Sequence, residues 1–515
     1  MARLFEHQGK EILSRSKIPV PAGKVARSPE EAAETASAIG KPVIVKAQAW
    51  VTGRASLGGI KKAATPDEAA DAARSILGMN LKGFTVNEVL VEEEVEIDRE
   101  FYAGVIIDDV ARRPVVIVSS VGGTAIEEIA REHPDRVAMR KVSVTKGLRD
   151  YEARNLWREV GISGRLQMKL AALTVGLYNV CRRYEARSGE INPLVVTAGG
   201  EVMAADCRLA IDDYAVFRHP ELGIEIAREL DRPATALEKI AYNVEAGDYR
   251  GTFYFIQMAE GFGRGEGYIG FHGAGGGGSM MSMDALLKRG YKIANFTDTS
   301  GNPPSSKVYR AAKIILSQGG LDGYFASGSG VASQEQFHSA RGFVKAFREE
   351  GLSIPAVIRL GGNFEEKAIE ILGRYASDLP AKVEAYGRDD SPDFCAERLE
   401  RLIEEHRKAG PRSFAPRVRK PARSPYRFDT LTGAIEIDHA RCRECGDAPC
   451  VPACAREILR VAGGVPVLAE DAGAVKKGRC TECLACEIAC GSEGNDGLWI
   501  DLPIPGLETY RSERG

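Results

Sequence analysis

Eight cysteines crowded into one short stretch constrain this chain more than any other feature. Of the eleven cysteines in 515 residues, Cys181, Cys207 and Cys395 are scattered, and the other eight lie between Cys442 and Cys490. In a secreted peptide such a set would form disulfides, but in a large intracellular chain reduced thiols and metal ligation are the better interpretation. The stretch therefore predicts a metal-binding redox module, and the scattered cysteines are predicted to be buried apolar residues.

The spacing within the stretch indicates which metal group it holds. The order is Cys442-x2-Cys445-x4-Cys450-x3-Cys454, then Cys480-x2-Cys483-x2-Cys486-x3-Cys490. The second run resembles the bacterial ferredoxin pattern, and in two-cluster ferredoxins the fourth cysteine of each run ligates the other cluster. The resemblance implies two [4Fe-4S] clusters, one on Cys442, Cys445, Cys450 and Cys490 and the other on Cys454, Cys480, Cys483 and Cys486. Departures are the longer gap before Cys450 and the replacement of the usual proline by Ala455 and Gly491. Two structural zinc sites of four cysteines each are the alternative.

Composition excludes several classes of protein. Hydrophobic residues make up 44% and charged residues 27%, which is typical of a soluble, core-forming chain. With 69 basic and 72 acidic residues the net charge is −3, so we expect no global attraction to nucleic acid. No apolar run reaches the roughly 18 residues of a membrane span, and the charged first ten residues do not resemble a signal peptide. The chain is predicted to be cytoplasmic.

The periodicity predicts an α/β and α+β multidomain protein. Strand and helix patterns alternate up to about Val216, and a second series of strands with Gly-rich turns begins at Tyr268 and predicts an open parallel, flavodoxin-like sheet. Between Gly410 and Phe428, four prolines and six basic residues predict an extended, solvated tether, with docking on an acidic face as the alternative. The predicted domains are 1–230 (nucleotide-binding), 231–408 (parallel sheet), 409–430 (linker) and 431–515 (ferredoxin-like).

Residues suited to a nucleotide are distributed over the first predicted domain. Lys46 ends a β-branched strand and precedes a Gly-rich loop from Gly53 to Gly59, whose N–H groups could surround phosphates, although no P-loop is present. Glu92 ends a plausible hinge strand for an adenine. The pair of strands bearing Glu190, Asn192 and Asp206 offers oxygen ligands suited to Mg²⁺.

At these residues the first 400 or so positions resemble the β subunit of succinyl-CoA synthetase, an ATP-grasp domain followed by a flavodoxin-like CoA-ligase domain. The matching stretches are residues 4–10, 45–48, 53–59, 120–127, 190–194 and 359–363. The resemblance implies binding of ATP or GTP with contacts from Lys46, Gly53, Arg54, Glu92 and Glu100. It also implies that Asn192 and Asp206 hold Mg²⁺ and that Glu190, as a catalytic residue, helps to receive a phosphohistidine.

In this family the phosphohistidine belongs to a separate CoA-binding α subunit, so a partner chain is implied. Its phosphate is expected at the start of a helix after Gly330, Val331 and Ala332, with Gly330 in the catalytic site and all three near the acid. The acid-binding loops depart from the family: His272 replaces an asparagine, Ser329-Gly-Val-Ala replaces Gly-Gly-Ile-Val, and Asp298-Thr-Ser-Gly-Asn replaces Asp-x-Gly-Gly-Gly. A different or larger acid is therefore plausible, with His272 either contacting it or acting as a hydrogen-bonded loop histidine.

Two functions account for this combination. The first is the β subunit of an ADP-forming acid–CoA ligase acting on CoA and a carboxylic acid, with a two-cluster ferredoxin that docks a ferredoxin-dependent oxidoreductase. The second is an electron-transfer subunit of an oxidoreductase complex, in which the ATP-grasp body is a scaffold or an ATP-driven coupling module. The substituted acid loops favour the second, and retention of Lys46, Glu190, Asn192 and Asp206 favours the first.

Overall fold

The computed structural model describes residues 1–123, 126–224, 232, 234–248, 253–328, 330–410 and 412–513. Thr124, Ala125 and Ser329, which fall within the motifs above, lie outside these ranges. The chain divides into two compact units, Met1–Ala234 and Thr235–Gly515. The predicted boundary after residue 230 lies close to this division, and the finer division into four domains stays a prediction. No helix in the described ranges is long and apolar enough to cross a bilayer.

The first unit contains two large antiparallel sheets, a separate two-stranded sheet at residues 80–85, and helices. The larger sheet has the order β1-β13-β11-β8-β9-β10, with β12 paired to β11, and the smaller has the order β2-β7-β3-β4. The strands are β1 (Ala2–Arg3), β2 (Gly23–Ala26), β3 (Val43–Ala47), β4 (Ile60–Ala63), β5 (Asn80–Leu81), β6 (Phe84–Thr85), β7 (Val89–Glu93), β8 (Ile97–Asp108), β9 (Arg113–Ser119), β10 (Val137–Lys141), β11 (Ala186–Thr197), β12 (Val202–Ala204) and β13 (Arg208–Ile211). The helices are α1 (Glu6–Arg15), α2 (Pro29–Ile39), α3 (Pro66–Ile76), α4 (Ile126–Glu132), α5 (Asp150–Glu159) and α6 (Gly164–Arg183).

Local sequence signals explain where these elements begin and end. The Ser28 hydroxyl accepts a hydrogen bond from the Glu31 N–H, Pro29 occupies the first turn of α2, and Gly40 ends the helix with φ of 67°. Proline tolerates the first turn because its missing N–H would be unpaired there, and glycine adopts the left-handed end at little steric cost. The predicted helix at Pro29 and the predicted strand before Lys46 are thus both present.

The second unit contains the parallel sheet. Its order is β14-β16-β15-β17-β18-β19, with β14 antiparallel to β16 and the other pairs parallel. The strands are β14 (Tyr254–Gln257), β15 (Tyr268–Ala274), β16 (Lys292–Asp298), β17 (Gly323–Gly328), β18 (Ala356–Arg359) and β19 (Val383–Tyr386). The helices are α7 (Ala236–Ala246), α8 (Gly276–Leu287), α9 (Ser305–Leu316), α10 (Phe337–Glu350), α11 (Glu365–Tyr375) and α12 (Pro392–Ala409).

The cysteine-rich end of the chain, which we call the cysteine module (residues 425–513), belongs to the same compact unit as this sheet. Its strands are β20 (Pro425–Asp429), β21 (Ala434–Asp438), β22 (Leu459–Ala462), β23 (Val465–Leu468) and β24 (Leu498–Asp501), and its helices are α13 (His439–Cys442), α14 (Ala472–Ala474), α15 (Ala485–Glu493) and α16 (Leu507–Ser512). β20, β21 and β24 form an antiparallel sheet, and β22 pairs with β23. One apolar core includes residues of both the parallel-sheet body and the module.

The Pro- and Arg-rich segment before the module differs from the predicted solvated tether. Residues 412–424 form no helix or strand, as predicted, but Arg417 is largely buried and donates hydrogen bonds to Glu487 at 2.8 Å and to Asp496 at 2.7 Å. Lys420 pairs with Asp496 at 2.9 Å. The acidic face that the basic segment binds therefore belongs to its own chain. The segment is held against the cysteine module and is not a free tether.

Candidate nucleotide site and cysteine groups

A buried network of charged side chains lies where the nucleotide was predicted in the first unit. Lys46, at the end of β3, has its Nζ 2.6 Å from Glu92 Oε1 on β7 and 3.0 Å from Glu6 Oε1 at the start of α1. Arg54 contacts Glu6 at 2.6 Å and Asp206 at 2.8 Å. The structure thus brings together four predicted site residues, Lys46, Arg54, Glu92 and Asp206.

Two members of this network were not predicted as site residues. Glu6 bridges Lys46 and Arg54, and Lys10 contacts Glu6 at 2.8 Å and Glu92 at 2.5 Å. Both residues lie in the N-terminal stretch that carried the family resemblance. In an amphipathic helix such as α1, the periodicity alone does not predict that charged residues are buried. Only the tertiary structure, in which α1 packs against β13 and α6 while Glu6 and Lys10 pair with Lys46 and Glu92, shows that they are buried.

The network favours the charged forms of Glu6, Lys46 and Arg54. Burial opposes the charged form of Glu6, but Lys10, Lys46 and Arg54 outweigh it and hold the pKa of Glu6 well below its usual value. Burial likewise opposes the charge on Lys46, and Glu6 and Glu92 raise the pKa of Lys46 above its usual value instead. Lys46 and Arg54 are therefore charged at physiological pH. The phosphates of a nucleotide could replace the carboxylates as their partners.

A cavity of about 380 Å³ adjoins the network, and Arg54, Trp50, Tyr102 and Glu190 contribute to its lining. The Trp50 ring stacks on Phe5 with 5.2 Å between ring centres. This volume is within the range of pockets that bind small molecules. The cavity therefore extends the charged network into a space with an aromatic wall.

The predicted magnesium and phosphohistidine residues surround this region. Glu190 accepts a hydrogen bond from the Tyr102 hydroxyl at 3.3 Å, Asn192 Oδ1 accepts one from the Gly123 N–H at 2.8 Å, and Asp206 Oδ1 accepts one from the Cys207 N–H at 2.7 Å. Glu190 and Asn192 are two residues apart on β11, and Asn192 lies where the register of β11 against β8 shifts between Ile191 and Leu194. Within the described ranges, no group of three or more His, Cys, Asp or Glu side chains is arranged to hold a metal ion.

Two other predicted nucleotide contacts lie outside the charged network. Gly53 is exposed in the loop between β3 and β4 with φ of 71°, a conformation that favours glycine. Glu100 is exposed on β8, with its carboxylate against Gly123. Their contact with a nucleotide stays a prediction.

His272 occupies an interior position in the second unit. It lies on β15 and not in a loop, with Nδ1 2.7 Å from the Tyr324 hydroxyl and Nε2 3.2 Å from the Thr299 hydroxyl. Burial lowers the pKa of His272 to about 3, so the imidazole is neutral at physiological pH. Both ring nitrogens are occupied by neighbouring hydroxyls, so its contact with an acid stays a prediction and its observed role is to join two parallel strands.

The loop after β17 carries the other predicted acid contacts. Gly330 has φ of 80°, and Val331 is 81% exposed. Ala332 forms an isolated bridge with Gly362, after which α10 begins at Phe337, five residues after the end of the predicted loop. The loop thus ends at the N-terminus of α10, at the carboxyl edge of the sheet.

The eight clustered cysteines are free thiols, and in the described ranges no three of them are arranged to hold a metal ion. Their electrostatic influence on one another's pKa values nevertheless divides them into two sets of four. Burial raises the pKa of Cys442 to about 12, and Cys490 and Cys445 add to the shift. Burial raises the pKa of Cys450 to about 12, with contributions from Cys490, Cys442 and Cys445. We call these four the first cysteine group: Cys442, Cys445, Cys450 and Cys490.

The other four cysteines influence one another in the same way. Burial raises the pKa of Cys480 to about 12, and Cys483 and Cys454 add to it. Burial also raises the pKa of Cys486 well above its usual value, with contributions from Cys483, Cys480 and Cys454. The second cysteine group is therefore Cys454, Cys480, Cys483 and Cys486, so that Cys454 and Cys490 lie with the cysteines of the opposite run.

Backbone donors point at these sulfurs. The N–H groups of Leu498 and Gly497 bond to Cys490 and oppose the rise in its pKa that burial causes. The N–H of Glu482 bonds to Cys480 with the same effect. Such donors stabilise the thiolate relative to the thiol, and the thiolate is the form that ligates metals.

Comparisons with known proteins place the chain among nucleotide-dependent ligases. The ATP-grasp domain family matches residues 3–196. The GDP-forming succinate–CoA ligase subunit beta of Thermus thermophilus is 40% identical over 383 residues, which cover 74% of this chain and 96% of the relative. The ADP-forming succinate–CoA ligase subunit beta of Roseiflexus sp. is 37% identical over 376 residues, covering 73% of this chain and 94% of the relative. The solved structure of ATP citrate lyase from Methanothrix soehngenii shares the fold, with a TM-score of 0.64, 16% identity, and coverage of 78% of this chain and 99% of that chain.

An ATP-grasp domain followed by a parallel sheet defines the class as an enzyme of the acid–CoA ligase type. The chain belongs to the family of succinate–CoA ligase beta subunits. The predicted family, ATP-grasp fold and ligase class are thereby confirmed.

Proposed function

We propose that this chain is the β subunit of a nucleotide-dependent acid–CoA ligase that carries two [4Fe-4S] clusters. The observation that carries the proposal is the coexistence, in a member of this family, of an intact buried cation network at the nucleotide face and two groups of four thiols. ATP or GTP, CoA, a carboxylic acid and an α subunit bearing a phosphohistidine complete the reaction.

In this proposal the charged network binds the nucleotide phosphates. Lys46 and Arg54 exchange their ion pairs with Glu6 for bonds to the phosphates, and Glu92 keeps Lys46 oriented. Asn192 and Asp206 offer the amide and carboxylate oxygens that Mg²⁺ prefers, and the bound ion would neutralise phosphate oxygens. The γ-phosphoryl group passes to the partner's histidine and then to the acid. The CoA thiol attacks the resulting acyl phosphate and releases phosphate.

The cysteine groups fit iron–sulfur clusters by their chemistry. Each has four soft thiolate donors, mostly buried, and the exchange of Cys454 and Cys490 between the two runs is the arrangement expected for two clusters and not for separate zinc ribbons. N–H donors to Cys490 and Cys480 tune the potential of such groups. When bound, the clusters would supply one-electron transfer to a ferredoxin-dependent oxidoreductase.

Iron and sulfide analysis of the anaerobically purified chain tests the cluster proposal. We expect about eight iron atoms per chain, as two [4Fe-4S] clusters require. Replacing Cys490 by Ser should remove the cluster of the first cysteine group and leave the other, whereas Cys395→Ser, at a buried lone cysteine, should leave the iron content unchanged. Zinc in place of iron, or no bound metal after reconstitution, would refute the clusters without affecting the ligase proposal.

Turnover assays test the ligase. The chain with its co-purifying partners should release ADP or GDP only when CoA and a suitable carboxylic acid from a panel are present. Turnover that is independent of cluster reduction supports a ligase with a docking module. Turnover that appears only with dithionite-reduced clusters supports the second candidate, an ATP-coupled electron-transfer subunit, which the core shared by the cysteine module and the parallel sheet favours.

A further inference from the structure

A groove of about 900 Å³ lies between the parallel-sheet body and the cysteine module, within the second unit. Pro304, Gln334 and Phe337 line its wall on the sheet side, and Thr481 and Cys483 line the opposite wall. The volume lies at the upper end of the range typical of cofactor and ligand sites. The groove exists because the module packs against α10 and α11 and does not extend into solvent.

The groove opens at the edge of the sheet where ligands are expected. β16 ends at Asp298 and its loop reaches Pro304, and β17 ends at Gly328 before α10 begins at Phe337. In open α/β sheets, ligands bind outside the carboxyl ends of the parallel strands. The module therefore extends an edge that is already suited to binding.

The groove contains cations without carboxylate partners. Of the basic side chains that line it, Arg341, Lys367 and Arg456 form no ion pair with any described residue, whereas Arg374 is paired with Glu493 at 2.9 Å. The Arg341 guanidinium and the Lys367 ammonium lie 4.8 Å and 5.5 Å from the centre of the Phe337 ring, so both charges lie beside one aromatic side chain of the groove. Glu335 and Glu370 also line the groove and balance part of the charge. Arg341 and Lys367, which form no ion pair with a described residue, are the candidate anion-binding groups.

Arg341 also lies close to the second cysteine group. Burial lowers the pKa of Arg341, and the thiolates of Cys483 and Cys486 oppose that shift. A partly buried guanidinium without a carboxylate is costly unless an anion accompanies it. An anion held by Arg341 would lie beside the wall formed by Cys483.

We propose that this groove binds a phosphate-bearing cofactor through Arg341 and Lys367, next to the second cysteine group. Phosphate matches the fork of donors that arginine presents and the compact charge of lysine. A concave groove of this volume fits a small molecule better than it fits the flat surface of a carrier protein. The inference rests on the proposed function for the identity of the metal group beside it, but not for the binding itself.

Direct binding measurements on the iron-reconstituted full chain test the proposal, with coenzyme A and flavin mononucleotide as separate probes. We expect at least one probe to bind, with an affinity that falls as salt rises. Arg341→Gln and Lys367→Gln should each weaken binding about tenfold or more, as expected for loss of a charge-assisted hydrogen bond. Arg401→Gln is the matched control, because Arg401 is exposed on α12 and, among the residues that the structure describes, pairs only with Glu397 on the same helix. Lys367 is itself exposed, so its variant tests the groove even where Arg341→Gln does not fold.

Three results would overturn the inference. They are no binding of either probe, equal binding by the Lys367 and Arg401 variants, or binding only of an acidic carrier protein that neither probe displaces. Measuring iron content and CoA-dependent nucleotide release on the same samples separates this inference from the proposed function. Probe binding that depends on Lys367 in an inactive chain supports the groove alone, whereas an active, iron-loaded chain that binds neither probe retains the function and refutes the groove.

Discussion

The ion pair between Lys345 and Glu487 should control how firmly the cysteine module is attached. Lys345 lies on α10 and Glu487 on α15, their charged atoms are 2.7 Å apart, and each side chain is 1% exposed. Arg417 contacts Glu487 at 2.8 Å from the basic segment. Lys345 and Arg417 lie 4.2 Å and 5.1 Å from the centre of the Trp499 ring. We predict that Glu487→Gln and Lys345→Met each destabilise the second unit strongly.

The magnitude follows from burial and from the partners that remain. Removing one member of a buried pair costs about 3–5 kcal/mol, because the other charge stays buried without compensation. Here Lys345 keeps Glu349 at 2.7 Å and Arg417 keeps Asp496 at 2.7 Å, which reduces the expected cost of each substitution to or below the lower end of that range, at about 2–3 kcal/mol. Burial raises the pKa of Glu487 despite the two neighbouring cations. The cost of Glu487→Gln therefore comes mainly from leaving Lys345 and Arg417 buried without this carboxylate, and not from losing a favourable ion pair.

Unfolding of the full chain in urea under anaerobic conditions measures these costs. The double variant should cost less than the sum of the two single variants by about 1 kcal/mol or more, because contacting groups couple within about 0.5–3 kcal/mol. The matched control is Arg374→Met. Its pair with Glu493 joins α11 to α15 at 2.9 Å, but the side chains are 58% and 42% exposed, so the loss should be at most about 1 kcal/mol.

Two outcomes would refute this reasoning. If Glu487→Gln changes the free energy of unfolding no more than Arg374→Met does, the buried pair does not hold the module. If the single variants lower only the stability of the cysteine module while the parallel sheet unfolds unchanged, the two parts do not share a cooperative core.

Further predictions concern the sheet, the nucleotide site and helix packing. Because the pKa of His272 is lowered by burial to about 3, from 6.5 when exposed, the unfolded state binds the extra proton between these pH values. Stability should therefore fall as pH falls from about 6.5, by up to about 1.4 kcal/mol per pH unit, and His272→Gln should remove that slope in urea titrations. Lys46→Gln should weaken nucleotide binding about tenfold or more in calorimetry, and the exposed Lys62→Gln should not. Gly342→Ala should lower the melting temperature, since its Cβ would meet an α9 carbonyl oxygen at 2.6 Å and cost about 1–3 kcal/mol, more than the gain in helix propensity. Gly373→Ala, with nothing within 4 Å, should raise it instead.

The sequence by itself determined the family, the ligase class and the chain positions of most charged site residues. Lys46, Arg54, Glu92 and Asp206 could be named from motif context, and the structure unites them within 3 Å of shared partners. The crossed grouping of the cysteines is implied by the resemblance to two-cluster ferredoxins, and their ligation of clusters stays a prediction.

Tertiary structure decided what periodicity and composition leave open. The burial of Glu6 on α1 depends on its ion pairs with Lys46 and Arg54, which lie far along the chain. The basic segment was predicted to be a solvated tether because its carboxylate partners, such as Glu487, lie far along the chain. His272 became a buried strand residue because Tyr324 and Thr299 lie beside it in the fold. Burial and pairing depend on contacts between distant segments, whereas spacing and helix caps are local, so only the latter can be predicted from sequence order alone.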